Sequence, residues 1–360
     1  MIMSDNAYRY PELHFALESM KAASELYRPT SFWEAASNRI ASELELNGVD
    51  LFRSLDTALG FFVPTYGSPG SGFNSEQVAG LTNWLKDHYP DDSKAQLALN
   101  HFLSGRMSAL SDYRALLAAD DPKQLPFLNK FSESKFGTPI EQFEFDGCRF
   151  SRSSLNYLLG LSLLKKHLNG EVPRTVLEIG GGFGTLGEIL IKAEIDGLRY
   201  VDIDIPPISF IAQHYLIETF GKEDVTTFAE TDKMDSIEID SLTKATVLCP
   251  WQIEKLKGQV DLFVNFISFQ EMEPHIVKNY LMHVSRLEAK WILLRNLREG
   301  KNRRRGEELG VDSPVLGDDY LGMLKEYELV DRNVLPFGYQ TVDNFHSELL
   351  VLKRSNVSDL

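Results

Sequence analysis

The sequence is short of several things, and each shortage narrows the functions open to it. Two of its 360 residues are cysteine, Cys148 and Cys249. They are too few for a disulfide framework and lack the spacing of a zinc site, so a reducing, cytoplasmic setting is expected. Basic residues are scarce beside acids: 37 Lys and Arg stand against 52 Asp and Glu, a net charge of -15. A field of that sign repels phosphate backbones and anionic lipid, so neither nucleic acid nor membrane is expected as a partner. Long hydrophobic runs are missing too. The longest apolar stretch, Leu155 to Leu164, is broken by Asn156, Gly160 and Ser162 and falls short of the ~20 residues that span a bilayer. Met1 to Tyr8 lacks the basic region, apolar core and cleavage site of an export leader, and no repeat or low-complexity tract stands out.

Glycine, by contrast, is concentrated at one place. Thr175-Val-Leu-Glu-Ile-Gly-Gly-Gly-Phe-Gly-Thr-Leu-Gly-Glu188 reads as an apolar strand carrying one carboxylate, a glycine-dense turn, and the start of a helix. Gly180, Gly182 and Gly184 remove β-carbons from the turn, so a bulky cofactor can lie against bare backbone, and Glu178 sits where it can reach a positively charged amine. The pattern, E-x-G-x-G-x-G, is similar to the first motif of class I S-adenosylmethionine-dependent methyltransferases. Gly182-Phe-Gly-Thr-Leu-Gly187 also satisfies the G-x-G-x-x-G fingerprint of dinucleotide enzymes. That register would run a buried parallel strand through Glu178 and leave the first two glycines unexplained, so an NAD-dependent oxidoreductase is kept as the rival.

From Thr175 onward apolar runs alternate with amphipathic stretches, the mark of a parallel sheet with helices on both faces. Strands are predicted at 175–179, 198–204, 245–249, 260–266 and 290–296, with helices at 185–194, 207–220 and 272–288. A helix near 317–326 and an antiparallel pair, Tyr327–Leu335 and Glu348–Lys353, close the chain. The expected fold is therefore α/β: a doubly wound, mostly parallel, seven-stranded Rossmann-like sheet over 171–360, the domain that would bind cofactor. Residues 1–170 are expected to be mainly helical and to wall or cap an acceptor site. Ser31 and Ser75 are predicted helix caps there. Between those helices Phe61-Phe-Val-Pro-Thr-Tyr-Gly-Ser-Pro-Gly-Ser-Gly72 passes from aromatics into a loop that could lie over a pocket, with Tyr66 a candidate substrate contact.

Four further stretches could carry chemistry. Leu198-Arg-Tyr-Val-Asp-Ile-Asp-Ile-Pro-Pro207 ends a strand in two carboxylates, Asp202 and Asp204, about twenty residues past the glycine turn, where an acid can accept hydrogen bonds from ribose hydroxyls. Asp204, nearer the carboxyl edge, ranks first. Cys249-Pro-Trp-Gln252 ends the third strand, where Trp251 could stack on an adenine and Gln252 bond its edge. The fourth strand leads through Asn265, a cofactor-side candidate, and Ser268, a substrate-side one, to Glu271-Met-Glu-Pro-His275. A hydroxyl acceptor needs a base as its new bond forms, and Glu271 and His275 are the candidates. A divalent cation held by Glu271, or by Glu273 with His275, is an alternative that no spacing singles out. Lys301-Asn-Arg-Arg-Arg305 is the one basic cluster, and Arg303 could grip an anionic group on the acceptor.

Gly137-Thr-Pro, Phe143-Glu-Phe-Asp-Gly147, the glycine motif, Asp202-Ile-Asp-Ile-Pro-Pro207 and Ser268-Phe-Gln-Glu-Met272 together resemble the sugar O-methyltransferase family. The likeness covers about 135 to 350. It implies S-adenosylmethionine as cofactor and a sugar hydroxyl, on a glycan, nucleotide sugar or glycosylated metabolite, as acceptor. No residue reads out a sugar on physical grounds. A non-sugar small-molecule acceptor and a catalytically silent cofactor-binding partner stay open, as does an oligomer.

Overall fold

The structure, a computed structural model, describes residues 8–304, 306 and 310–355, with backbone alone at Ser31 and Phe32. Among the described residues thirteen strands follow in chain order. β1 (Phe143–Phe145) and β2 (Cys148–Phe150) form a hairpin across Asp146 and Gly147, which take φ of 49° and 78°. Asp-Gly supplies the paired positive φ values that a two-residue hairpin turn needs. β3 (Thr175–Ile179), β4 (Arg199–Ile203), β5 (Val225–Thr226), β7 (Ala245–Leu248), β9 (Leu262–Phe266) and β10 (Trp291–Leu297) enter the main sheet in parallel. β11 (Tyr327–Asn333), β12 (Tyr339–Gln340) and β13 (His346–Arg354) complete it, while β6 (Ile237–Glu238) and β8 (Leu256–Lys257) pair separately.

The order across the sheet is β11-β13-β10-β9-β3-β4-β7-β5, with β12 on β13, and β13 is antiparallel to both β10 and β11. The expected α/β sheet is thus present, parallel with an antiparallel close. It has nine strands rather than seven, because the two-residue strands β5 and β12 were too short to leave a pattern in the sequence. Strand order reverses at β3, which pairs with β4 on one side and β9 on the other. A crevice opens beyond the carboxyl ends at such a switch point.

The helices of the first half are α1 (Pro11–Ala22), α2 (Ser31–Asn47), α3 (Asp56–Phe61), α4 (Ser75–His88), α5 (Ser93–Leu103) and α6 (Arg106–Ala119). Neither predicted serine caps its helix. Asn74 caps α4 in a reciprocal box with Gln77, and Thr30 precedes α2 with its hydroxyl directed elsewhere. α7 (Arg152–Lys165) is buried at every residue after its first. α8 (Thr185–Lys192), α9 (Ile208–Phe220), α10 (Phe228–Thr231), α11 (Pro274–Arg286) and α12 (Gly317–Met323) surround the sheet. One apolar core joins Leu13, Ile40 and Phe52 to Val176, Leu186 and Tyr215, so it runs straight across position 170.

Candidate active site

The glycine turn after β3 gives each glycine a different duty. A β-carbon on Gly180 would lie 2.1 Å from the Ser268 hydroxyl, and one on Gly181 would lie 2.5 Å from Asp202 Oδ1 and 2.7 Å from Glu178 Oε2. Those two positions are bare so that the chain can pack. Gly182, at φ +63°, would aim a side chain into open space, with the Phe62 carbonyl at 3.9 Å as its nearest neighbour. Gly184 stands at φ +91° just ahead of α8. Space for a ligand is therefore left by Gly182.

Three carboxylates gather beneath and beside this turn. Glu178 is wholly buried; its Oε1 accepts from Tyr157 Oη at 2.7 Å and its Oε2 from Tyr200 Oη at 2.6 Å. Burial raises its pKa to about 7 against the pull of both tyrosines. It lies under the turn, not on the cavity wall, so an approaching amine would meet Tyr157 first. Asp202 is also fully buried and accepts from Gly181 N through Oδ1, while its Oδ2 has no hydrogen-bond partner among the described residues. Asp204 faces the cavity. Its Oδ2 accepts from Gly182 N at 3.0 Å and its Oδ1 from Ile205 N at 2.7 Å. Burial raises its pKa to about 7, and the neighbouring Glu271 charge adds to the rise.

The cavity, of about 220 Å³, lies between the carboxyl edge of the sheet and the amino-terminal segment. Trp33, Phe62, Tyr157 and Met272 line it together with the glycine turn and Asp204. Glu271 also lines it, in the short turn Ser268–Glu271 that follows β9. Glu271 Oε2 accepts from Trp33 Nε1 at 3.0 Å, Oε1 accepts from Lys301 Nζ at 2.9 Å, and its backbone oxygen accepts from Thr30 Oγ1 at 3.1 Å. Ile267, also on the wall, holds φ at +73°. A β-branched residue there is strained, and its backbone N–H donating to Arg295 O at 2.6 Å holds it in place.

Several predicted site residues are placed elsewhere. His275 is exposed on the first turn of α11 and off the cavity. Glu273 and Pro274 start that helix too late for Glu271 to share its face. Trp251 packs edge-on against Phe228, and Gln252 is buried between Cys249 N and Thr231 Oγ1; Pro250 lines the cavity in their stead. Asn265 is structural, with its Nδ2 donating to Ile179 O and Ser268 Oγ. Ser268 itself reaches the cavity. Tyr66 is turned away, its hydroxyl donating to Asp112 Oδ2 at 2.5 Å, although Phe61, Phe62 and Pro64 from the same segment do form wall. Arg303 is exposed and off the cavity, and Arg305 lies outside the described residues. Lys301, among the described members of that run, reaches Glu271.

Among the described residues no three His, Cys, Asp or Glu side chains gather as a metal site, and no helix is long and apolar enough to cross a membrane. Sequence reasoning missed Trp33, Tyr157 and Lys301. The first two carried a helical-core pattern that does not say which face meets a cavity, and Lys301 was overshadowed by the arginines beside it.

No protein-family model matches the chain, and no curated protein matches it. Among solved structures it is similar to the magnesium protoporphyrin IX methyltransferase ChlM of Synechocystis PCC 6803 with bound SAH, at 13% identity over 56% of this chain and 83% of that one, TM-score 0.38. Mitomycin 7-O-methyltransferase MmcR is 12% identical over 94% of this chain and 76% of its own, TM-score 0.35. The pyocyanin biosynthetic protein PhzM is 10% identical over 92% and 75%, TM-score 0.34. Likenesses this remote carry no argument about chemistry. The sheet's own order and direction define a Rossmann-like α/β fold of the class I methyltransferase type.

Proposed function

We propose that the chain is an S-adenosylmethionine-dependent O-methyltransferase. The observation that carries this reading is a cavity at the sheet's switch point that Gly182 leaves open and Asp204 faces. The residues fit the cofactor. Any side chain at Gly182 would take its space, and each Asp204 oxygen keeps a lone pair beyond its one backbone bond for a ribose hydroxyl. When bound, the cofactor supplies a methyl group made electrophilic by a sulfonium.

The chain's own residues do the rest. Asp204 orients the ribose, and the Tyr157–Glu178 pair presents a polar surface toward a cationic end. Glu271 takes the acceptor proton, with Trp33 and Lys301 fixing its two oxygens. The acceptor is a sugar hydroxyl, a choice that rests on the family resemblance, and it is held against the aromatic wall of Trp33 and Phe62, since aromatic faces pack on the apolar faces of sugar rings.

Titration calorimetry with S-adenosylmethionine, S-adenosylhomocysteine and NAD tests the cofactor. The first two bind; tight NAD binding without either of them overturns the reading. Screening glycosides, nucleotide sugars, phenols and amines for release of S-adenosylhomocysteine tests the acceptor. Preference for a phenol or amine over every sugar overturns the sugar assignment alone.

A further inference from the structure

Buried cations in this chain generally sit on carboxylates. Lys165 meets Asp120 at 2.5 Å and two backbone carbonyls, and Arg53 meets Glu133 at 3.2 Å. Such pairing is what offsets the several kcal/mol that it costs to desolvate an ion. Buried Arg295 breaks the pattern, and half-buried Arg152 lies beside it.

Arg295, in β10, is 1% exposed. It donates from Nε to Ser347 Oγ and from Nη1 to Asn156 O, both at 3.1 Å, and forms no ion pair among the described residues. Arg152, the first residue of α7, donates from Nη1 to Thr65 O at 2.7 Å and likewise forms none. Both guanidiniums lie against the same Tyr339 ring, at 5.2 and 5.3 Å from its centre. Arg152 is also 5.5 Å from the centre of Tyr66, and Arg295 is 5.8 Å from that of Phe266. The carboxylate that feels both is Asp112, and one of its oxygens is taken by Tyr66. Glu141 also lies within electrostatic reach of Arg152, but its two oxygens are taken by Tyr66 N and Gly67 N. Among the described residues neither carboxylate forms an ion pair with either guanidinium, and each guanidinium has N–H donors beyond the bonds it makes.

The position is as telling as the charge. Asn156 and Phe266, which touch Arg295, also line the main cavity, and so does Ser153, next to Arg152. Tyr66, Asp112, Tyr339 and Arg152 are all partly exposed, so the cluster is reachable from solvent.

We propose that Arg152 and Arg295, walled by Tyr66 and Tyr339, form an oxyanion subsite next to the stretch of cavity wall made by Ser153, Asn156 and Phe266, which takes a phosphate or carboxylate carried by the acceptor. Guanidinium forks suit both groups, and a half-dry site strengthens each bond. That the anion belongs to the acceptor rests on the methyltransferase reading; the anion site itself does not.

The test is calorimetry on the full chain without cofactor, at fixed ionic strength, using inorganic phosphate, glucose 6-phosphate, glucuronate and uncharged methyl glucoside. Anionic probes bind and methyl glucoside does not. Arg152→Gln weakens anion binding tenfold or more, Arg295→Lys weakens it less, and Arg303→Gln, on the exposed basic run, leaves it unchanged. Tighter glucose 6-phosphate identifies phosphate as the source, and tighter glucuronate a carboxylate. Wild-type affinity in both Arg152→Gln and Arg295→Lys, or anions bound no better than methyl glucoside, overturns the proposal. S-adenosylhomocysteine affinity is unaltered in Arg152→Gln; no binding of it by wild type sinks the methyltransferase reading and leaves the anion result standing.

Discussion

On the glycine-turn wall of the cavity Asp204 receives Gly182 N from 22 positions away, within a single strand–turn–helix–strand unit. On the wall formed after β9 Glu271 receives Trp33 from 238 positions away and Thr30 from 241. The glycine-turn wall is set by local backbone geometry and survives as long as β3 and β4 pair. The Glu271 wall exists only where the amino-terminal segment docks on the turn after β9. The first therefore suits a constant ligand, and the second is where a variable one can be accommodated.

The sharpest way to break this contrast is Gly182→Val. A side chain there fills the space the turn keeps open and is strained at φ +63°. We expect S-adenosylhomocysteine binding to vanish from calorimetry while far-ultraviolet circular dichroism is retained. Next in size is Glu271→Gln, which should lower turnover by about 10²–10⁴, the usual worth of general-base help, with cofactor affinity near wild type. His275→Ala, off the cavity, should change neither; a large rate loss from it would return the base to α11. Asp204→Ala should weaken cofactor binding by about 1.5–3 kcal/mol, the worth of hydrogen bonds to a charged group, and more than Asp202→Ala does.

The smallest expected effect is on pH. Asp204 and Glu178 have folded pKa values of about 7, above those of unfolded carboxyls, in a cluster with Asp202 and near Glu271. Between about pH 4.5 and 7 the folded state then holds protons that the unfolded state has released, so these groups' contribution to stability falls as pH rises and levels off above 7. Cofactor affinity should move the opposite way, rising as Asp204 ionises. Melting curves and titrations of Asp204→Asn should show both trends flattened; unchanged slopes would falsify the assignment to this residue.

The same division governs what was legible in the sequence. Periodicity placed the main strands within a residue or two, and the glycine spacing and two aspartates located the turn and put Asp204 nearer the carboxyl edge than Asp202, since strand alternation and edge position are local properties. Side-chain partners were not local. Tyr66 was captured by Asp112 and Arg152, Trp251 by Phe228, and Gln252 by Thr231. His275 was misjudged because the helix start fell at Glu273–Pro274. Trp33 gave no sign of its role, as an indole in an amphipathic helix looks the same whether it meets core or cavity.

Phe52 packs within 5.4 Å of Phe183, inside the glycine turn, and α7 lies buried between the helices of the first half and the sheet. A wedge shared in this way should tie the two halves into one cooperative unit. Heat or denaturant should melt them together in a single transition, and residues 171–360 expressed alone should lack the core they share. Phe52→Ala, at a cost of about 3–5 kcal/mol, should lower the stability of the distant sheet as much as that of its own neighbourhood, as read by hydrogen exchange across β3 and β4.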